Sequence, residues 1–327
     1  MAERADGGAT ATTKWDAPGG DGRRGLVIAA LAVVVAGVIA FPRALPNSPG
    51  RAGSLLESFL PWVGVVVGLL FVVALVRRSG VALVALLLPV AVWVQGFGGL
   101  LPPGPDAGTR ELLVVQHNVG DENPDPAGTA RALVAAGADL VALEELVAPA
   151  SLAYEDVLGA EYPHHAVHGT VGLWSTYPVG EAQVVDIRPR GVEEGGSRGL
   201  RAVVDTPYGD VAAYVAHLPS VRVGPGGLAS CLRDESARKL GDAVRAEKVE
   251  AVILMGDLNS TVDDRGLEPL TSQLYVAERG FAFSFPATFP VARIDQVLAR
   301  SATVGHIRTL PATGSDHLPV AARVTLS

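Results

Sequence analysis

The hydrophobic residues of the chain are concentrated in three long runs near its N-terminus. The runs extend from Leu26 to Phe41, from Phe59 to Val76 and from Val81 to Leu101, and none of them contains a charged side chain. A helix needs ~20 apolar residues to cross a bilayer, a length that the second and third runs approach and the first slightly misses. The pattern therefore predicts a membrane domain of three transmembrane helices over residues 23–101.

Each of these runs also has an alternative interpretation. The first run follows Arg23 and Arg24, so it also fits a cleaved signal peptide, including one of the twin-arginine kind. The second and third runs also fit buried core helices. Two long uncharged runs in close succession favour membrane spans over that alternative.

The basic residues around the runs predict their orientation. Lys14 and the arginine pair at 23–24 precede the first span, and a second pair at 77–78 lies between the second and third spans. Basic residues in short loops mark the cytoplasmic side of a membrane. Arg43 and Arg51 lie in the remaining loop and weaken this bias. Three spans with a cytoplasmic N-terminus place the rest of the chain outside the membrane.

The segments that flank the membrane domain are polar or rich in proline. Residues 1–22 are rich in Gly, Ala and Thr without periodicity, which predicts a disordered cytoplasmic tail. Residues 102–110 contain Pro-Pro-Gly-Pro, which predicts a short and partly stiff linker. A domain on such a linker stays close to the bilayer surface.

Residues 111–327 show short β-branched runs that alternate with helical patterns. We predict helices over residues 126–137, 151–159 and 230–247. We predict strands over residues 111–118, 139–144, 163–167, 170–175, 179–187, 199–206, 210–217, 250–256, 294–299, 302–308 and 319–326. Many strands with few, widely spaced helices favour an α+β fold of two packed sheets with outer helices over a doubly wound parallel sheet.

Polar side chains follow several of the predicted strands. Their shared feature is a carboxylate, an amide or an imidazole at a strand end: Asn118, Glu145, His217, Asp257, Asn259, Asp295 and His317. Because α/β scaffolds build their sites at strand ends, we expect these groups to meet in one crevice.

The acids among these residues point to phosphate or metal chemistry. Asp257 and Asn259 are two residues apart, so in extended chain both side chains face the same way. An Asp there can position water and an Asn can donate to a phosphoryl oxygen, although an Asx-type turn is the structural alternative. Of Glu144 and Glu145, one should point into the crevice and the other away. Such an isolated carboxylate suits a hard cation such as Mg²⁺.

Asp316 and His317 are adjacent in sequence and point in different directions, so they are not partners of one another. His317 needs another acid to orient it, and Asp295 is the candidate. A buried carboxylate on one imidazole nitrogen fixes the tautomer and raises the basicity of the other nitrogen.

The charge of the C-terminal part limits the substrates that it can hold. The whole chain has a formal net charge of −8, and from Arg110 onward 18 Lys and Arg stand against 28 Asp and Glu. That acidic balance argues against a groove for duplex DNA, where affinity depends on cationic contacts. It is compatible with a small phosphoester. Cys231 is the only cysteine, so an intramolecular disulfide is excluded.

Taken together, the ordered motifs resemble the endonuclease/exonuclease/phosphatase superfamily. The resemblance covers about residues 111–326. It rests on Gln116-His117-Asn118-Val119, Ala142-Leu143-Glu144-Glu145, Leu173-Trp174-Ser175-Thr176-Tyr177-Pro178, Ala216-His217-Leu218, Gly256-Asp257-Leu258-Asn259, Arg293-Ile294-Asp295 and Ser315-Asp316-His317-Leu318-Pro319. It implies a four-layer α/β sandwich and a divalent-metal phosphoesterase that uses Mg²⁺ or Mn²⁺.

The same resemblance implies a role for each site residue. The implied metal ligands are Glu145, Asn118 and Asp316. The implied catalytic residues are Asp257, which positions the attacking water, Asn259 and His217, which bind the phosphoryl group, and Asp295 and His317.

The sequence departs from the superfamily pattern at two positions. Many members have Ser-Arg before Tyr-Pro, and Ser175-Thr176 stands there in this chain, which removes one expected cationic contact. Glu144 occupies a position where the family often has Gln.

The combination of membrane spans with this domain resembles the actinobacterial VanJ-type membrane proteins associated with glycopeptide (teicoplanin-class) resistance. That resemblance implies a polyprenyl pyrophosphate phosphatase, acting on undecaprenyl pyrophosphate at the outer face of the cytoplasmic membrane. The expected partners are the lipid substrate and the bilayer, with no nucleic acid. Arg222 and Arg233 are our candidates for contacting the diphosphate, with ordinary surface arginines as the alternative.

Two other functions stay open at this point. One is an extracytoplasmic nuclease or a phospholipase C-like phosphodiesterase. The other is a non-catalytic membrane protein that keeps the fold as a binding or signalling module. That last interpretation expects broken motifs, whereas every acid, amide and imidazole is present.

Overall fold

The computed structural model describes residues 22–102, 110–192 and 198–327. The predicted tail at 1–22 lies almost entirely outside the described residues, and so does most of the predicted linker at 102–110.

The N-terminal part of the chain forms a small helical bundle. Its helices are α1 (Gly22–Ala40), α2 (Ala52–Ser58), α3 (Val63–Val76) and α4 (Gly80–Phe97). Both α1 and α3 pack against α4. The contact is close because small side chains, Ala32, Ala74 and Ala82, are completely buried in it.

The prediction of three transmembrane helices is not confirmed. By length and composition, one helix of the described chain can cross a membrane, Gly80–Leu100, with 21 residues. The second predicted span is broken, since Ala52–Ser58 and Leu60–Val76 meet at an angle of 71°. Pro61 lies in the first turn after this break, where its missing backbone N–H and its ring prevent a continuous helix through the preceding turn. The first predicted span is a shorter apolar helix, Gly25–Ala40.

The surface of the bundle is nevertheless strongly apolar. Large side chains on α1, α3 and α4 point outward, among them Val34, Leu69 and Leu87, which are 61%, 62% and 65% exposed. An apolar surface of this extent is typical of a membrane or protein contact. The multi-pass topology and its orientation stay predictions.

Two mixed β-sheets form the second part of the chain. The first sheet contains β1 (Glu111–Asn118), β2 (Leu140–Glu144), β3 (His164–His168), β4 (Val171–Ser175), β12 (Ala302–Thr309) and β13 (Val320–Leu326), and its strand order is β12-β13-β1-β2-β4-β3. The second sheet contains β5 (Val179–Val184), β6 (Gly199–Thr206), β7 (Gly209–Ala216), β10 (Ala251–Asp257) and β11 (Asp295–Arg300), in the order β11-β10-β7-β6-β5. A short hairpin pairs β8 (Val223–Gly224) with β9 (Gly227–Leu228).

Helices cover the outer face of each sheet. The first sheet is covered by α5 (Pro126–Ala135) and α6 (Ala150–Glu161), and the second by α7 (Cys231–Ala246) and α8 (Glu268–Thr271). The central core lies between the sheets and is built from β-branched and leucine side chains such as Val114, Leu140 and Ile253. The predicted fold, two packed sheets with outer helices, is confirmed.

The strand directions explain why the polar residues meet. The pairs β1–β2 and β7–β10 are parallel, so within each sheet their carboxyl ends lie at one edge. Strand β11 runs antiparallel to β10, and its first residue, Asp295, pairs with the last residue of β10, Asp257. Gly256 is required at this edge because a Cβ on it would lie 1.9 Å from the carbonyl oxygen of Ala216.

Candidate active site

A buried imidazole–carboxylate pair lies at the centre of the crevice. His317 Nδ1 and Asp295 Oδ2 are 2.8 Å apart, and Asp295 is completely buried. Ser284 Oγ donates to Asp295 Oδ2 at 2.6 Å, and Gln116 Nε2 donates to Asp295 Oδ1 at 3.1 Å. With both of its oxygens engaged, Asp295 holds one orientation and fixes the His317 ring.

The same pair sets the charge of His317. Burial lowers the pKa of His317, but the neighbouring Asp295 carboxylate outweighs burial and raises that pKa to about 10. The pKa of Asp295 is also set by two opposing effects. Burial raises it, but the charge and the hydrogen bond of His317 outweigh burial, so the pKa of Asp295 is below its ordinary value. At neutral pH the two residues therefore form a buried imidazolium–carboxylate pair.

The amide of Asn118 joins two carboxylates. Its Nδ2 donates to Asp257 Oδ2 and to Glu145 Oε1, each at 3.1 Å, and its Oδ1 accepts from the Gly120 amide at 3.0 Å. Asp257 is buried and Glu145 keeps 29% of its side chain exposed. One acid is thus in the floor of the crevice and the other at its mouth.

Asp257 is unusual among these acids. Burial and the nearby charge of Asp295 raise its pKa to about 7, although His317 and two hydrogen-bond donors favour the ionised form. One of those donors is the backbone amide of Asn259, 2.8 Å from Asp257 Oδ1. A carboxyl group with this pKa takes up or releases a proton near neutral pH.

His217 faces both acids of this pair. Its Nε2 lies 3.7 Å from Glu145 Oε1 and 3.7 Å from Asp257 Oδ2. Burial, followed by the charges of Arg198 and His317, lowers the pKa of His217 to about 3. The ring is therefore neutral at physiological pH and can donate one hydrogen bond into the crevice.

Two site residues adopt a left-handed backbone conformation, which is uncommon for residues other than glycine. They are Glu145, with φ 62°, and Asn259, with φ 47°. The Asn259 side chain donates to the Leu218 carbonyl at 2.9 Å and to Asp257 Oδ2 at 3.2 Å. Glu145 Oε2 accepts from the Asp121 amide at 3.1 Å. These contacts hold both side chains at the crevice in spite of the backbone strain.

The crevice is a single cavity of about 870 Å³. It includes all the predicted site residues except Asp295, which lies behind His317: Asn118, Glu145, His217, Arg222, Arg233, Asp257, Asn259, Asp316 and His317. Asp316 lies at its rim, 70% exposed, with Oδ1 4.0 Å from His317 Nε2. The structure thus brings together residues that are separated by up to about two hundred positions in sequence.

Comparison with known proteins identifies the domain. The endonuclease/exonuclease/phosphatase family model matches residues 115–317. The chain belongs to this family. No curated protein matches the chain in sequence.

Several solved structures share the fold of the domain and are only weakly similar to it in sequence. Sphingomyelinase C from Streptomyces griseocarneus is 20% identical, with a TM-score of 0.51 over 66% of this chain and 99% of its own. D. rerio TDP2 complexed with a single-strand DNA product is 18% identical, with a TM-score of 0.54 over 65% and 98%. A Staphylococcus aureus beta toxin mutant with bound magnesium ions is 16% identical, with a TM-score of 0.51 over 65% and 99%. At these identities the likeness shows the fold.

The residues at the mouth of the crevice fit the divalent cation that the family resemblance implies. The Glu145 and Asp257 carboxylates converge on one amide, and within the described residues neither forms an ion pair with a lysine or an arginine. Carboxylate and amide oxygens are the ligands that Mg²⁺ and Mn²⁺ prefer. The Glu145 carboxylate, with the Asp257 carboxylate beside it, is therefore suited to hold such an ion. Asn118 turns its amide nitrogen toward both acids and its Oδ1 accepts from the Gly120 amide, so Asn118 as a ligand stays a prediction. Asp316 as a ligand stays a prediction.

A second cluster of possible metal ligands is less suitable. One ligand atom from each of Asp257, Asp295 and His317 lies within 4.8 Å of the others. However, Asp295 is already engaged by His317 Nδ1, Ser284 and Gln116. A cation at this place would have to compete with the buried imidazolium.

The two arginines predicted to contact the diphosphate have different surroundings. Arg222 is exposed at the rim, just before β8. Arg233 is 1% exposed, and its guanidinium donates to Asp264 at 2.7 Å, to Asp234 at 2.7 Å and to the Asn259 carbonyl at 3.3 Å. These bonds give Arg233 a supporting position under the Asn259 loop, and its contact with substrate stays a prediction.

Sequence reasoning missed a buried layer beneath the site. Glu144 was expected to be one of a pair in which one member points away, yet it is completely buried, and its Oε2 accepts from Gln116 Nε2 at 2.7 Å. Burial and the charge of Asp295 raise the pKa of Glu144 well above the usual value, which favours its protonated form. A signal was present for Gln116, since it lies two positions before Asn118 and faces the same way in β1.

Sequence reasoning also missed Arg198. This exposed arginine lines the cavity and contributes to the lowered pKa of His217. It supplies a cationic side chain to the site, whereas Thr176, which stands where many family members have an arginine, lies beside Asp139 at the opposite end of β4 and outside the cavity. No motif marks the position of Arg198 in the sequence.

The N-terminal helical bundle contributes a wall of the crevice. Leu55, Ser58 and Phe59, at the corner between α2 and α3, line the same cavity as the catalytic residues. Arg51 from this segment also forms an ion pair with Asp234 on α7. The crevice is therefore built from both parts of the chain.

Proposed function

We propose that the protein is a metal-dependent phosphoesterase that hydrolyses a membrane lipid pyrophosphate, with undecaprenyl pyrophosphate converted to the monophosphate at the outer face of the cytoplasmic membrane. The observation that carries the proposal is the wall that Leu55, Ser58 and Phe59 contribute to the catalytic cavity. A site that is shared between an apolar helical bundle and a phosphoesterase domain suits a substrate with a hydrocarbon chain and a phosphate head.

The charges of the crevice support a small diphosphate as the ligand. Arg198 and Arg222 line the cavity and are exposed, so they are available to an anion. The domain around them is acidic, which disfavours a polyanion such as duplex DNA. Two arginines with the imidazolium of His317 match the charge of a diphosphate.

Three residues of the site have different roles in the proposed reaction. Asp257, with a pKa of about 7, accepts a proton from the attacking water or orients that water. His217 is neutral and donates from Nε2 to a phosphoryl oxygen. His317 is cationic, with a pKa of about 10, and stabilises negative charge as it develops on the phosphate that leaves or is transferred. When bound at Glu145, a divalent cation supplies further neutralising charge for the phosphoryl oxygens.

The link to glycopeptide resistance is part of the same proposal. It is supported by the apolar helices before the domain and by the resemblance to VanJ-type membrane proteins. The proposed location is the cell membrane, with a cytoplasmic N-terminus and an extracytoplasmic catalytic domain.

The test is phosphate release from undecaprenyl pyrophosphate in detergent with Mg²⁺. Wild-type protein and His317→Ala are assayed side by side, with plasmid nicking and phosphatidylcholine cleavage as parallel reactions. We expect release by the wild type that is lost in the variant and on addition of EDTA. Metal-dependent nicking or phosphatidylcholine cleavage without phosphate release would instead assign a nuclease or a phospholipase C-like enzyme.

A further inference from the structure

A second cavity lies between the helical bundle and the catalytic domain. It has a volume of about 570 Å³, and its walls include Trp62 and Phe71 from the α3 region, Val90 and Trp93 from α4, and Phe281 and Phe283 from the catalytic domain. We call this cavity the apolar groove. Its volume falls within the range of about 300–1,000 Å³ that is typical of small-molecule sites.

The polar atoms of the groove's two tryptophans are already satisfied. Trp62 Nε1 donates to the Val291 carbonyl at 2.7 Å, and Trp93 Nε1 donates to the Pro61 carbonyl at 2.8 Å. The Trp62 ring also stacks on Phe283, with 5.3 Å between ring centroids. The rings are therefore fixed in place, and they present apolar faces to whatever enters.

The apolar groove adjoins the catalytic crevice along two short segments of chain. Phe59 lines the crevice and Trp62 lines the groove, three residues further on. Phe285 lines the crevice and Phe283 lines the groove, two residues before it. Two or three residues span at most about 7–11 Å, so a single molecule can reach from one cavity into the other.

We infer that the apolar groove binds the first isoprenoid units of the substrate lipid while its diphosphate lies in the catalytic crevice. This inference rests on the proposed function and adds to it a site for the lipid chain. The aromatic walls, the absence of free polar groups on the two tryptophans and the continuity with the crevice together fit an unsaturated hydrocarbon chain attached to an anionic head.

The apolar groove is expected to position the substrate's diphosphate more than to increase the affinity for the lipid. A lipid chain in a bilayer or a micelle already has apolar surroundings, so transfer into the groove gains little hydrophobic free energy. Packing against fixed aromatic rings does, however, place the attached diphosphate relative to His217, Asp257 and His317. The expected signature is selectivity for chain length rather than tight binding.

Gly68 offers a direct way to fill the groove. It lies in α3 and lines the groove, and a Cβ at this position would meet no atom within 4 Å. Gly68→Leu therefore adds a side chain to the groove without a backbone clash, and leucine is the better helix former. Gly37→Leu is the matched control, because Gly37 lies in α1, outside the groove, and also has no atom within 4 Å of a Cβ.

The kinetic arm compares undecaprenyl pyrophosphate with isopentenyl pyrophosphate in detergent micelles. We expect Gly68→Leu to lower kcat/KM for the long lipid by about tenfold, the scale of one misplaced methylene in an apolar pocket, with little change for the short substrate. Gly37→Leu should behave as the wild type. An equal effect of Gly68→Leu on both substrates, or no effect on either, would overturn the inference.

A binding arm separates this inference from the proposed function. A prenyl diphosphate that carries a photoreactive group on its first isoprenoid units is crosslinked to the full chain, and the labelled peptides are mapped. We expect labels around Trp62, Phe71, Trp93 and Phe283 that are reduced in Gly68→Leu, whether or not the protein hydrolyses the lipid. Labels elsewhere, or equal labelling of the groove by a photoreactive phosphatidylcholine, would overturn it.

Discussion

The carboxylate of Glu57, in α2 of the N-terminal helical bundle, is completely buried against the guanidinium of Arg265 in the catalytic domain. Arg265 donates to it from Nη2 at 2.8 Å, from Nε at 2.9 Å and from its backbone amide at 2.9 Å. The same guanidinium donates to the carbonyls of Pro42 and Leu45, each at 3.2 Å. Two parts of the chain that sequence alone presents as separate domains are thus joined by a buried ion pair, in addition to the pairs Arg51–Asp234 and Arg43–Glu268.

The first prediction concerns this ion pair. Glu57→Gln leaves the Arg265 guanidinium without its charge partner, and such losses cost about 2–4 kcal/mol when the pair is mostly buried. We expect a lower midpoint of thermal unfolding in detergent and a lower rate of lipid hydrolysis, because the wall formed by Leu55 and Phe59 is no longer held in place.

The matched control for Glu57→Gln breaks a neighbouring but exposed pair. Arg43 and Glu268 lie 3.2 Å apart, and both side chains are more than half exposed. Arg43→Gln should change stability by less than about 1 kcal/mol, as is usual for surface pairs. Equal effects of the two variants would show that the buried contact does not hold the wall.

The second prediction concerns Asp295. Asp295→Asn removes the charge that raises the pKa of His317 to about 10, so this pKa should fall toward its ordinary value near 6.5. His317 would then lose its proton at neutral pH, and kcat/KM should fall by about 10²-fold or more. The basic limb of the pH profile should shift to lower pH.

The pairing also predicts how stability depends on pH. The raised pKa of His317 means that its contribution to stability is fully present below about pH 6.5 and is lost as the pH rises through about 10. Asp295→Asn should abolish this alkaline loss. Ser284→Ala, which removes one donor to Asp295 and leaves the charge, should preserve it. An unchanged alkaline transition in Asp295→Asn would contradict the assignment.

The third prediction concerns Asp257. Its raised pKa means that the metal-free protein loses stability as the pH rises from about 4 to about 7, because a buried acid must ionise beside Asp295. Asp257→Asn removes this cost, so the variant should unfold at a higher temperature than the wild type at pH 7 and above. At pH 4 the two should be similar. The same variant should lose about 10²–10⁴-fold in kcat.

The outcome for Asp257→Asn separates two possible roles. If Asp257→Asn loses activity and the metal-free variant is more stable than the wild type, then the ionised form of Asp257 is needed for the reaction and lowers the stability of the fold. Loss of both activity and stability would show that Asp257 is mainly structural, and the proposed role would be wrong.

The fourth prediction concerns the metal. Mg²⁺ binds the folded protein, so the unfolding temperature of the wild type should rise as the Mg²⁺ concentration is increased above the dissociation constant. Glu145→Gln removes one of the two carboxylates that converge on Asn118, so it should need at least about tenfold more Mg²⁺ for the same shift. Asp121→Asn is the control, since the Asp121 backbone amide, not its side chain, contacts Glu145. Equal Mg²⁺ titrations of Glu145→Gln and the wild type would place the ion elsewhere.

The positions of the strands and the convergence of their polar ends could be predicted from the sequence, because short β-branched runs and the residues that follow them are local signals. The alternation at Val114 to Asn118 and the run before Asp257 gave these elements to within a few residues. The break at Phe59 could not be predicted, because hydropathy alone does not register that Pro61 lacks the backbone N–H that a continuous helix needs. The burial of Glu144 depends on a partner, Gln116, that lies 28 positions away.

The cationic residues of the site were harder to predict than its acids. Arg233 and Arg222 look alike in sequence, yet one is enclosed by Asp264 and Asp234 and the other is exposed. Arg198 carries no motif at all. An arginine's surroundings depend on tertiary contacts that no local pattern encodes, whereas the strand-end acids are marked by the apolar runs before them.

The measurement that tests the central claim most directly is the identity of the products formed from undecaprenyl pyrophosphate. The full-length protein is reconstituted in lipid vesicles with Mg²⁺ and the substrate in heavy-oxygen water, and the products are analysed by mass spectrometry. The proposed function predicts undecaprenyl monophosphate and inorganic phosphate, with heavy oxygen in one of the two, and no product from Asp257→Asn. Intact substrate with the wild type, or release of the free prenol with pyrophosphate, would contradict it.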